Sequence, residues 1–110
     1  MTNDRLGQSE FVVLGVVAKR RDGAHGTALL DELAELTHRP WSVGALYTIL
    51  DRLEKKGFLR SEWGEATAQR GGRRKRIFRI QAAGQAALVQ QRQLVDAVTS
   101  FGPGLRPVEV

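Results

Sequence analysis

The sequence predicts a mainly α chain with one small β-hairpin, folded as a single domain. Three observations lead there. Apolar residues recur at helical spacing in four stretches, the period changes to alternation only between residues 58 and 81, and glycine or proline punctuates the boundaries. With 110 residues, 42% of them hydrophobic, the chain has material for one modest core and too little for two.

Residues 1–7 show no period and read as a flexible N-terminal arm. From Gln8 to about Arg21 the pattern is helical, with Phe11, Leu14, Gly15 and Ala18 on one stripe and Val12, Val13, Val16 and Val17 filling other directions. A helix apolar nearly all round needs cover on more than one side, supplied by a second chain or by a place at the centre of its own core. The run at 11–18 is far shorter than the roughly 20 residues of a membrane span. Lys19, Arg20 and Arg21 follow it, whereas a signal peptide carries its cations in front. Asp22, Gly23 and Gly26 mark a turn. A second helix then runs from about Gly26 to His38, with Leu29, Leu30, Leu33 and Leu36 as its apolar set, and Pro40 closes it.

The third helix, Ser42 to Gly57, carries most of the functional information. Ser42 can cap it, Leu46, Ile49, Leu50 and Leu53 form its buried stripe, and Gly57 ends it. Gly44, Tyr47, Thr48, Asp51, Arg52, Lys55 and Lys56 fall on the opposite face. A major groove admits one helix, phosphates take Arg, Lys and hydroxyl partners, and base edges take short polar groups. An ordinary solvated helix face would also carry charges, so the neighbouring segments decide. A helix, a short turn and a second helix carrying cations is the order of a helix-turn-helix, here at residues 26–57.

After Gly57 the pattern alternates. Residues 58–65 read as one strand and 74–81 as another, with a long tip at 66–73 containing Gly71-Gly72. Residues 70–79 hold Arg70, Arg73, Arg74, Lys75, Arg76 and Arg79, six of the chain's 17 cations, with no acid among them. A basic hairpin directly after a basic helix is the pattern of a winged helix-turn-helix, whose wing lies on phosphates or in a minor groove. Residues 8–81 are accordingly read as the DNA-binding domain. A fourth helix spans 82–101, with Leu88, Leu94, Val95, Val98 and Phe101 on a heptad-like stripe expected to form a dimer contact, or else to pack back on its own domain. The tail at 102–110 should be irregular.

Composition narrows the function. Seventeen Lys+Arg against 12 Asp+Glu give a net charge of +5, which favours a polyanionic partner. There is no cysteine, so disulfide and thiolate-metal chemistry is excluded, and a reducing cytoplasm fits. His25 and His38 flank the second helix without a partner at metal spacing, and neither Ser42 nor Ser61 lies in a nucleophile-elbow context. No enzyme, cofactor or metal site is expected. RNA binding and protein interaction by the same fold remain alternatives, although only 6% of residues are aromatic and the wing is strongly cationic.

The residues also carry a family likeness. His25-Gly26, Gly44-Ala45-Leu46-Tyr47, Leu50, Arg52-Leu53-Glu54, Gly57, Ser61, Trp63, Gly72-Arg73-Arg74-Lys75 and Ala83-Gly84, in that order, resemble the PadR family of bacterial transcriptional regulators over roughly residues 10–95. The chain differs from the common family pattern at Thr27, often tyrosine, and at Thr48, often proline. It resembles the short-tailed subgroup. The resemblance implies a cytoplasmic homodimer bound to double-stranded DNA, usually as a repressor on a near-palindromic operator. The last helix, with Leu88, Leu94, Val95, Val98 and Phe101, would contact the partner's first helix, at Phe11 and Leu14. Ser42, Gly44, Tyr47, Thr48 and Arg52 would face DNA from the recognition helix, and Arg70, Arg73, Arg74 and Lys75 from the wing, while the charge pattern of the helix itself adds Lys55 as a phosphate contact. A small-molecule effector between the subunits is a further implication.

Overall fold

The computed structural model describes residues 5–64 and 75–100. The expected hairpin tip, Phe101 and the tail lie outside the described residues, as do residues 1–4. The elements are α1 (Gln8–Lys19), β1 (Ala24–His25), α2 (Gly26–Thr37), α3 (Val43–Lys55), β2 (Leu59–Trp63), β3 (Arg76–Ile80) and α4 (Ala82–Thr99). No described helix is long and apolar enough to cross a membrane.

Helix α1 sits at the centre. Val13, Leu14, Val16 and Val17 are each no more than 1% exposed, packed with Leu29 and Leu33 of α2, Leu46, Leu50 and Leu53 of α3, and Phe78 of β3. The unusual apolar breadth of α1 is therefore met largely within one chain. Leu14, expected at a subunit contact, has no exposed surface left for a partner and belongs to this core. Phe11 and Val12 are half-buried at its margin. Each fully buried Leu, Val or Phe contributes about 1.5–3 kcal/mol.

The sheet has one strand more than the hairpin. β1 pairs with β3, Ala24 opposite Phe78 and His25 opposite Ile77, giving the order β1-β3-β2 with both pairings antiparallel. Two residues are too few to show a period, so the sequence presents only the turn before them. That turn needs Gly23. Its φ is +102°, and a Cβ there would collide with the Ile77 side chain. β2 and β3 pair from Leu59 opposite Ile80 to Trp63 opposite Arg76, so the base of the hairpin lies beside the start of α4.

Two joints fasten residues 5–7 and the start of α4. Residues 5–7, expected to belong to a flexible arm, are instead fastened. Leu6 is 6% exposed, its carbonyl accepts from Gln91 Nε2 at 3.2 Å, and Gly7 N–H donates to Glu10 Oε1 at 2.8 Å. Helix α4 begins against the start of β2, where a Cβ on Gly84 would overlap the Phe58 carbonyl oxygen. Gly84 and Ala87 are buried, but beyond Gln91 the helix leaves the domain. Leu94, Val95 and Val98 are about half exposed, and Leu88 packs on the core.

Candidate nucleic-acid interface

Helix α3 is built as its pattern predicts. The Ser42 hydroxyl accepts from Ala45 N–H at 3.1 Å, and Leu46, Leu50 and Leu53 are fully buried. The outer face then presents Ser42, Gly44, Thr48, Asp51, Arg52 and Lys55, all exposed. Thr48 donates its hydroxyl hydrogen to the Gly44 carbonyl at 2.8 Å, which leaves its oxygen lone pairs facing outward. Among the described residues nothing lies within 4 Å of the position a Gly44 Cβ would occupy.

Two expected members of this face lie at its margins and turn inward. Tyr47 is half-buried, with its ring edge-on to Phe78 at a centroid distance of 6.0 Å and an interplanar angle of 63°. Its hydroxyl passes over Gly26, where a Cβ would stand 2.5 Å from it. The Gly26 of the His25-Gly26 pair thus makes room for the tyrosine, and Tyr47 serves the joint between α2, α3 and the sheet. On the other margin Lys56 donates to both carboxylate oxygens of Glu10, at 2.9 and 3.1 Å, and to the Arg5 carbonyl. Burial alone would raise the Glu10 carboxyl. The Gly7 N–H and the Lys56 ammonium outweigh it and hold the group below the usual carboxylate range.

A polar cluster ties α3 to the hairpin. Glu54 accepts from Ser61 N–H at 3.2 Å, from the Ser61 hydroxyl at 2.8 Å and from Arg76 Nη2 at 2.7 Å. Arg76 also reaches Asp51 at 3.3 Å, donates from Nε to Ser61 Oγ at 3.1 Å, and lies 4.8 Å over the Phe78 ring. Arg76, read in the sequence as one of the wing cations, is thus a tie between elements. Trp63 was given no role by sequence reasoning, yet it is 64% exposed directly opposite Arg76, and its size and exposure mark it as available to a partner.

Of the expected wing contacts, Lys75 is exposed just before β3 and Arg70, Arg73 and Arg74 lie outside the described residues. His25 and His38 stand at opposite ends of the 12-residue α2, about 18 Å apart, and form no common site. The left-handed backbone of His38 (φ 57°) ends that helix.

Residues 13–90 match the "Transcriptional regulator PadR-like family". Transcriptional regulator Rv3488 of Mycobacterium tuberculosis is 40% identical over 72 residues, covering 66% of this chain and 63% of its own length, so this chain matches less than two thirds of that relative. Among solved structures, the putative transcriptional regulator TA0346 of Thermoplasma acidophilum superposes with a TM-score of 0.68 at 24% identity, over 81% of each chain. A PadR family transcription regulator from Clostridium difficile superposes with a TM-score of 0.68 at 17% identity, over 84% of this chain and 91% of its own. Those two likenesses show the shared winged-helix fold.

Proposed function

The chain belongs to the PadR-like family of transcriptional regulators, and on that premise we propose that it binds double-stranded DNA as a cytoplasmic homodimer and acts as a repressor. Helix α3 enters the major groove through Ser42, Gly44, Thr48, Arg52 and Lys55, while Lys75 with Arg70, Arg73 and Arg74 neutralises phosphates beside it. Tyr47 acts indirectly by holding α3 in place. Two subunits related by a two-fold axis carry two such helices about one DNA turn apart, so the operator is a near-palindrome. Occupancy of a promoter then excludes polymerase.

Gly44 is the observation that carries this reading. Gly44 lies in the first turn of α3, and among the described residues nothing stands within 4 Å of the position its Cβ would take, so no packing seen there calls for a glycine. A backbone kept bare on an exposed, cation-bearing face suits a surface that approaches closely from outside. The exposed Leu94, Val95 and Val98, continuing past the end of the domain, support the dimer contact, with Leu88 and Phe11 at its inner edge. A small-molecule effector would sit between the subunits along that helix.

The test is selection of genomic fragments by the purified protein at two salt concentrations, followed by sequencing and anisotropy on the enriched site. One palindromic site should emerge, with affinity falling by about 0.9 log units per log unit of salt for each phosphate neutralised. Arg52→Ala combined with Lys55→Ala should lower that slope by about two if both touch phosphate. Gly44→Ala should stabilise the fold yet weaken binding. Recovery of no site, or Gly44→Ala binding as tightly as the parent, would refute the assignment of this face.

A further inference from the structure

Four arginines converge at the base of the hairpin, away from its tip. Arg20 and Arg21 come from the end of α1, Arg60 from β2 and Arg79 from β3. Together with Gln81 and Gln85 at the start of α4 they surround a cavity of about 430 Å³ that no carboxylate lines. Leu59 and Ser61 face the core and α3, so Arg60, between them in the strand, projects from the other face of the sheet. The cavity is therefore separate from the open face of α3.

The charges in this cavity are only partly compensated, with the Glu62 carboxylate shared electrostatically between Arg79 and Arg60. Arg20 Nη2 donates to Glu32 at 2.8 Å and Arg79 Nε donates to Glu62 at 2.7 Å. Among the described residues, Arg21 and Arg60 make no hydrogen bond or ion pair, and the buried Nε of Arg20 has no acceptor. Carbonyls at the end of α1 favour a cation at Arg20 or Arg21. They do not account for Arg60, which stands directly opposite Arg79 in the antiparallel register. Like charges so placed destabilise a sheet, and the Glu62 carboxylate bonds to only one of the two. Local packing also favours this arrangement, because bare Gly23 allows the Arg79 guanidinium to approach to 3.3 Å from where a Cβ would be.

From these features we propose that the cavity binds a small polyanion, a ligand carrying a phosphate or two carboxylates. Arg21 and Arg60 supply charge-assisted donors to it, and the Gln81 and Gln85 amides meet its uncharged part. The first turn of α4 carries no acid, so the start of that helix adds no carboxylate to repel an anion. The volume lies in the range of small-molecule sites. The ligand bridges α1, the hairpin base and α4 without touching the recognition face.

Calorimetry on the full chain, with sodium pyrophosphate and citrate as probes, tests this. One anion should bind per chain, Arg60→Gln should weaken it by about tenfold or more, and Lys55→Gln should leave it unchanged. Binding of pyrophosphate alone would assign the phosphate class, and of citrate alone the polycarboxylate class. Melting supplies a second readout. Pyrophosphate should raise the parent's Tm, whereas Arg60→Gln, relieved of the repulsion from Arg79, should melt no lower than the ligand-free parent and gain little from the anion. Absence of binding by both probes at millimolar concentration would overturn the proposal. So would binding that survives Arg60→Gln, or that is lost with Lys55→Gln and thereby belongs to the α3 face.

Discussion

Replacing Glu54 with alanine tests what holds the hairpin against helix α3. The substitution removes three acceptor contacts, to Arg76 Nη2, the Ser61 hydroxyl and the Ser61 N–H. Arg76 keeps Asp51 and its place over Phe78, and the Ser61 hydroxyl keeps Arg76 Nε, so these two groups lose only part of their bonding. The Ser61 N–H loses its acceptor outright, which costs about 1 kcal/mol in a half-buried setting. The Arg76 bond adds about 1 kcal/mol after discounting for solvent screening, since Glu54 is 32% and Arg76 25% exposed. The total is about 2 kcal/mol. At a urea slope of about 1.5–2 kcal/mol/M this moves the unfolding midpoint down by about 1 M. Chemical denaturation at one fixed protein concentration measures it, because an associating chain gains apparent stability with concentration. Glu62→Gln, which breaks the exposed pair with Arg79, serves as the comparison and should shift the midpoint far less. A Glu54→Ala midpoint no lower than that of Glu62→Gln would refute the view that this cluster anchors the hairpin.

Gly26→Ala should cost about 1–3 kcal/mol by driving a methyl into the Tyr47 hydroxyl, and Tyr47→Phe in the same chain should recover part of that loss; additive thermal shifts would separate the two residues. Glu10→Gln should cost about 2 kcal/mol at neutral pH. Because the folded-state pKa of Glu10 is lowered, its contribution is present above the unfolded value and disappears as pH falls through the folded one, so the variant's stability should change less than the parent's on acidification; parallel acid limbs would exclude the Lys56 pairing. Leu94→Lys with Val98→Glu should yield a folded monomer by sedimentation, and a variant that still sediments as a dimer would move the subunit contact elsewhere.

How much was legible in the sequence depends on the range of the interaction that settles each feature. The four helices, the hairpin and their near-boundaries follow from local periodicity, because the 3.6-residue and two-residue repeats are properties of neighbouring side chains and the caps act within one turn. The same locality made the outer face of α3 readable at Gly44, Thr48, Arg52 and Lys55. Its margins were not. Tyr47 and Lys56 sit at the boundary of the stripe, and only the positions of Gly26 and Phe78 on one side and Glu10 on the other decided that both turn inward.

Tertiary packing likewise decided that α1 is covered by its own chain, which removes Leu14 from any interface. It also recruited residues 5–7 and made β1 a strand although two residues carry no period of their own. The arginine cavity shows the same division. Composition revealed the excess of positive charge, but the Arg20-Arg21 pair, Arg60 and Arg79 lie far from one another in the chain, and it is the β2–β3 register and the docking of α4 at Gly84 that bring them to one place. What a chain's local spacing encodes can be read along it, whereas contacts across dozens of residues exist only once burial of the core has brought those residues together.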